Sequence, residues 1–197
     1  MPNSFYSPDE LAAMKFADLG TNVKISRKAS FYSTSTIHIG DNSRVDDFCV
    51  ISGNISIGAF VHVAAFCGIY AQRESCTLSD FSGLAPRATL FTFSEDYLFG
   101  TSLTNPTVPE RYKTRVDEGA ITIGKHAIVG TGSYVSPGSV FGQGAVLAAL
   151  SLARGELCPW TVYRGNPAEV VARRRSHRIL ELEEQFRSDL AAGMVSS

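Results

Sequence analysis

No apolar run in the sequence approaches the roughly 20 residues that a membrane-spanning helix needs. The opening stretch from Met1 to Leu11 is polar and acidic, with neither the basic n-region nor the apolar h-region of a secretory signal, so a cytoplasmic protein is expected. An excess of one charge is also missing: 18 Lys and Arg against 19 Asp and Glu leave a net charge of −1. Near-neutrality gives no net attraction to phosphate backbones or anionic lipid, and neither nucleic acid nor membrane is expected as a partner. Cys49, Cys67, Cys76 and Cys158 form no C-x-x-C pair and no other metal spacing, which predicts free thiols and no metal site. At 197 residues, 44% hydrophobic and 19% charged, the chain has material for one domain with a real core and not for a second.

What is present is a period of six. Aliphatic anchors fall at Ile39, Val45, Ile51, Ile57, Val63 and Ile69, then after a slip at Leu78, Leu84 and Leu90, and again at Ile123, Val129, Val135, Phe141 and Leu147. Four residues after most anchors comes a small or apolar residue, among them Ser43, Cys49, Val61, Cys67, Ala88, Ala127, Ser133 and Ala145. Neither an amphipathic helix nor simple strand alternation produces two coupled positions at this period. A triangular coil does: a short strand buries the anchor, a tight turn accepts the small residue, and three hexads close one rung. Fourteen anchors then make between four and five coils, stacked about 4.8 Å apart as parallel strands. Cys49 and Cys67 share a phase one coil apart, and as small corner fillers they need no disulfide.

The chain divides on this pattern into a capping segment over residues 1–30, a β-helix over 31–155 interrupted by a loop at 91–120, and a C-terminal loop and helix over 156–197. Ser7-Pro8-Asp9-Glu10 carries the N-cap, the proline and the early acids of a helix start. Arg173 to Leu190 reads as a charged amphipathic helix with Ile179, Leu182 and Phe186 on one face. The long break, rich in aromatics and charge, is where a solenoid carries function.

The six-residue period, the mid-chain loop, Pro159-Trp160 and Gly165-Asn166-Pro167-Ala168 resemble the hexapeptide-repeat acyltransferases related to galactoside and maltose O-acetyltransferases. Phe5-Tyr6-Ser7, Asp46-Asp47-Phe48, Tyr112-Lys113 and Ile179 to Phe186 narrow the likeness to N-acyltransferases of dTDP-4-amino-4,6-dideoxyglucose and similar nucleotide-linked amino sugars. The resemblance implies an all-β solenoid, a left-handed parallel β-helix with a C-terminal α-helix. It also implies a homotrimer with sites between subunits, acetyl-CoA or another short acyl-CoA as donor, and a nucleotide sugar bound for surface polysaccharide as acceptor. Matching positions for the donor are Thr131, Ala149, Arg154, Gly165, Asn166, Pro167 and Arg173, small residues for the pantetheine arm and arginines for phosphate.

An alcohol nucleophile requires a general base, whereas an amine needs little beyond orientation. The O-acetyltransferase relatives carry a histidine in the long loop, and here that stretch reads Phe93-Ser94-Glu95-Asp96 with no histidine anywhere from 91 to 120. An amino-sugar acceptor, its ammonium facing Asp96 or Glu95, is therefore favoured over O-acetylation of a hydroxyl, which stays as the alternative. His62 precedes an anchor, points outward, and resembles the histidine that sugar N-acyltransferases place beside the thioester. His38 also precedes an anchor and points outward, whereas His126 falls on a turn and His177 on the C-terminal helix, and neither of those two is favoured. A non-catalytic solenoid is the rival class, but the threonine ladders of ice-binding helices and the His-x-x-x-x-His pair of β-helical carbonic anhydrases are both missing.

Overall fold

A computed structural model describes residues 4–194. The chain winds as a left-handed parallel β-helix of triangular cross-section. The first face stacks Lys24–Ile25, Arg44–Val45, His62–Val63, Gly83–Leu84, Ile128–Val129, Val146–Leu147 and Thr161–Gly165 in register, all parallel. The second face runs from Ser30–Tyr32 to Leu152–Ala153, and the third from Asp18–Leu19 to Glu156–Leu157. Every one of the fourteen anchors is at most 3% exposed, and they form one continuous column with Phe141 as its largest member. Truncating Phe141 to Ala would leave a cavity costing about 3–5 kcal/mol.

The coil is longer than the anchors alone predict. Strands begin at Asp18 inside the expected capping segment and continue past 155, giving seven rungs on the first face rather than four to five. Leu19, Ile25 and Phe31 pair with Ile39, Val45 and Ile51. Their rung carries two extra residues, taken up by the short helical turn Thr34–Thr36, and that slip puts them out of phase with the later anchors. At the far end Ala153 replaces an aliphatic anchor. Helix α1 (Pro8–Ala13) has the predicted N-terminus, with Ser7 and Glu10 closing a reciprocal capping box.

The small corner residues earn their place by satisfying the turn. Ser43 donates to the Gly58 carbonyl at 2.7 Å and accepts from the Val61 amide at 3.0 Å, and Ser133 treats Ala148 and Ser151 in the same way. The thiols of Cys49 and Cys67 donate to the Ala64 and Ala85 carbonyls, and all four cysteines are free. Three residues after the anchors the backbone turns left-handed: Asn42, Phe48, Phe60, Phe66, Phe81, Arg87, His126 and Leu150 all have φ between 53° and 65°. For a bulky residue this costs about 1–2 kcal/mol. Ring stacking between rungs, about 0.5–1.5 kcal/mol per pair, works against that strain.

One such corner, between the third and first faces, is a ladder of rings: Phe60 on Phe81 at 5.0 Å, then His126, then Trp160. Helix α2 (His177–Ala191) lies over it, with Phe186 edge-on to Phe60 and Phe81. Glu183 of α2 binds Nε2 of His126 at 2.7 Å, Lys125 at 2.5 Å and Arg187 at 2.6 Å. Burial works against ionisation of Glu183, but these donors outweigh it and hold its pKa at about 2. Arg173, expected at the start of this helix, instead ends the strand Ala168–Arg173, which folds back antiparallel on Thr161–Gly165.

Candidate active site

His62 stands on the outer side of the first face, its strand flanked by those of Arg44 and Gly83. Its Nε2 is 2.8 Å from Oδ2 of Asp46, the residue just past the anchor of the preceding rung, while Oδ1 of Asp46 accepts from Arg44 at 2.6 Å. Burial pushes the Asp46 carboxyl up, yet the bonds from His62 and Arg44 hold it net below its ordinary range. An ionised carboxylate only accepts, so Nε2 of His62 donates and Nδ1 of the neutral ring presents a lone pair. A carboxylate–imidazole pair of this geometry can take or steer a proton. Asp46 entered the sequence reading only within a family motif. Its signal was an acidic residue at a position that Gly or Ala fills in many other rungs.

The groove around His62 is floored by Ala64, Ala65, Gly83 and Ala85. Small residues continue along the corner after the first face through Gly130, Thr131, Ala148 and Ala149. At Gly130 a Cβ would come within 2.5 Å of the Ala149 amide nitrogen, so the chain is tightly apposed there. The stripe ends at the hairpin tip Gly165-Asn166-Pro167, where the Gly165 amide donates to Oγ of Ser151 at 3.0 Å and Gly165 has φ of +110°. His62, Thr131, Ala149 and the tip thus share one edge of the prism. Arg154 and Arg173 do not join them. Arg154 lies past the second face and pairs with Asp117 at 3.0 Å, and Arg173 donates to Oγ1 of Thr161.

Glu95 and Asp96 sit on the opposite side. The long break leaves between the second and third faces as an antiparallel ribbon, Phe93–Glu95 against Val116–Glu118. Both oxygens of Asp96 are consumed by the loop: Oδ1 accepts from the amides of Leu98 and Phe99, Oδ2 from the amide and hydroxyl of Thr101. The Thr101 hydroxyl and these amides bring its pKa down to about 2. Glu95 faces a groove of about 750 Å³ bounded by Arg73, Glu110, Lys113 and the stacked rings of Phe91 and Tyr134. Tyr70 extends that stack beneath Phe91 at 4.4 Å. Arg73 and Lys113 are already paired with Glu95, Glu110 and Glu118, so carboxylates outnumber cations in this cluster. Among the described residues there is no group of His, Cys, Asp or Glu side chains able to hold a metal ion, and no helix long and apolar enough to cross a membrane.

No family model matches the chain. Individual proteins do. The dTDP-4-amino-4,6-dideoxy-D-glucose acyltransferase of Escherichia coli is 40% identical over 181 residues, covering 90% of this chain and 92% of the relative. AntD, an N-acyltransferase from Bacillus cereus solved with dTDP and 3-hydroxybutyryl-CoA, superposes with a TM-score of 0.92 at 36% identity, over 96% of this chain and 99% of AntD. A variant of AntD holding dTDP-4-amino-4,6-dideoxyglucose and coenzyme A matches equally well, with TM-score 0.92, 36% identity, and 96% and 100% covered. The O-acetyltransferase side is more distant: a putative lipopolysaccharide biosynthesis O-acetyl transferase, WbbJ of E. coli K12, is 27% identical over 61% of this chain and 58% of its own. Identity, coverage and the shared coil together place this chain in the family of the dTDP-4-amino-4,6-dideoxy-D-glucose acyltransferases, CoA-dependent N-acyltransferases built on the left-handed β-helix.

Proposed function

We propose that the chain acylates the amino group of a nucleotide-linked deoxyamino sugar, dTDP-4-amino-4,6-dideoxyglucose, with an acetyl or similarly short acyl group from its CoA thioester, as a cytoplasmic homotrimer serving surface polysaccharide synthesis. The observation that carries this reading is the placement of the two halves of the site. The His62–Asp46 dyad faces outward from one face of the prism and the Glu95 groove opens on the opposite corner. One chain cannot bring them together, so a neighbouring copy completes the site.

In that arrangement the pantetheine arm follows Ala85, Thr131 and Ala149 from the Gly165–Pro167 tip towards His62. Arg154 meets phosphate from the neighbour, while Arg173, held on Thr161 at the far end of the returning strand from the tip, steadies the hairpin. Glu95 holds the acceptor ammonium electrostatically, and Asp96 keeps the loop in shape. His62 orients the amine through Nδ1 and relieves it of a proton. The ammonium first gives one proton to solvent; the free nitrogen then attacks the thioester carbonyl carbon, the carbon–sulfur bond breaks, and the second proton passes by way of His62 to the departing sulfur.

The test is thiol release from acetyl-CoA against dTDP-4-amino-4,6-dideoxyglucose, its UDP and GDP counterparts, and simple galactosides. Turnover on a nucleotide amino sugar supports the proposal and fixes the nucleotide. Turnover on galactosides alone replaces it with O-acetylation.

A further inference from the structure

We infer that Lys24 and Arg44 bind the diphosphate of the acceptor nucleotide and so set the register of its sugar on His62. This inference rests on the proposed function and names the part of the site that recognises the nucleotide.

Lys24 pairs across parallel strands with Arg44, and Arg44 with His62. The three therefore form one column on the outer side of the first face, with neighbours about 4.8 Å apart. One rung from His62 towards the N-terminus, Arg44 borders a cleft of about 610 Å³ together with Phe5, Tyr6 and Lys24. Three carboxylates near this cleft already have partners. Glu10 is held by Arg27 through both oxygens, Asp41 accepts from the amide and hydroxyl of Thr21, and Asp46 is shared by Arg44 and His62. Lys24 has no carboxylate partner among the described residues and is left to meet an anion.

In the opposite groove the cations are already tied to Glu95, Glu110 and Glu118. A molecule carrying an ammonium at one end and a diphosphate at the other matches that polarity across two copies of the chain. The hexose between them accounts for the spacing from Lys24 to His62. A diphosphate also occurs in CoA, but the small-residue stripe leads from His62 the other way, towards Gly165, so the donor's diphosphate lies at the far end of the face.

Lys24 is exposed and its removal disturbs no core contact, so Lys24→Gln and Lys24→Arg are made in the full-length protein. Calorimetric binding of dTDP and steady-state KM values for the nucleotide amino sugar and for acetyl-CoA are then compared with wild type. Loss of one charge-assisted contact is expected to weaken dTDP binding and raise the nucleotide-sugar KM on the order of tenfold in Lys24→Gln. Lys24→Arg recovers most of this, and kcat and the acetyl-CoA KM stay as in wild type. An acetyl-CoA KM that rises instead would assign the cations to the donor and overturn the inference, as would dTDP binding unchanged in Lys24→Gln. Failure of the proposed function shows separately, as wild type that binds dTDP but acylates no nucleotide amino sugar.

Discussion

Nε2 of His62 and Oδ2 of Asp46 are 2.8 Å apart although 16 residues separate them in sequence, because a residue just past one anchor lies beside the residue just before the next rung's anchor. The pairing gives His62 a fixed tautomer. Asp46→Asn removes the obligate acceptor and allows the ring to present a proton where it should present a lone pair. Steady-state thiol release is expected to show kcat down on the order of 10- to 100-fold with both KM values little changed, since the loss concerns proton handling and not binding.

His62→Asn separates the two acceptor chemistries. An amine acceptor retains measurable turnover without the ring, because a free amine needs orientation more than a base. An alcohol acceptor loses activity outright. The measurement is kcat on the best acceptor from the panel, and complete loss would favour the hydroxyl.

The corner stripe is tested at Ala149, which is exposed and packs no core. Ala149→Phe fills the path proposed for the pantetheine arm and is expected to raise the acyl-CoA KM on the order of tenfold, leaving the nucleotide-sugar KM and the thermal midpoint in place. A variant that moves the nucleotide-sugar KM alone would put the acceptor, not the donor, along this edge.

Glu95 and Asp96 are neighbours with different work, and their substitutions should part accordingly. Asp96→Ala orphans the amides of Leu98, Phe99 and Thr101, so limited proteolysis should cut between residues 96 and 115 faster than in wild type. Glu95→Gln keeps most of the loop's shape and raises the nucleotide-sugar KM without added proteolysis.

Glu183 and Asp96 both have folded pKa values brought down to about 2. A depressed carboxylate contributes stability in full above its ordinary range and loses it as the pH falls through its folded value. The docking of α2 should therefore weaken between about pH 4.5 and pH 2. Trp160, the single tryptophan, stacks beside His126 under that helix and reports the event in its fluorescence. Glu183→Gln removes the carboxylate shared by His126, Lys125 and Arg187 and is expected to lower the thermal midpoint and to speed amide exchange across α2 at neutral pH.

Much of the fold was legible because the buried column repeats: an aliphatic every six residues has one geometric solution, and the positions from Ile39 to Leu147 all point inward as expected. The first rung was hidden by two extra residues at Thr34–Thr36, which shift Leu19, Ile25 and Phe31 out of phase. The left-handed corner was half visible. Asn42, Gly132, Gly138 and Gly144 are the residue types that adopt it readily, but Phe48, Phe60, Phe66 and Phe81 in the same slot mask the pattern. The site was legible one residue at a time and not as pairs. His62 stood out as an outward histidine, while its partner Asp46 depends on rung-to-rung stacking. Likewise the role of Asp96 within its own loop depends on a local turn that composition does not reveal.

The hairpin from Thr161 to Arg173 closes the last rung with an antiparallel strand, and this ties the length of the solenoid to its chemistry. A parallel strand left open would offer a templating edge to another chain, and the returning strand covers that edge on the first face. The same turn carries Gly165, Asn166 and Pro167, so insertion of one more coil would carry the tip a full rung farther from His62. In the proposed arrangement, rungs added between His62 and the hairpin would change the reach demanded of the donor.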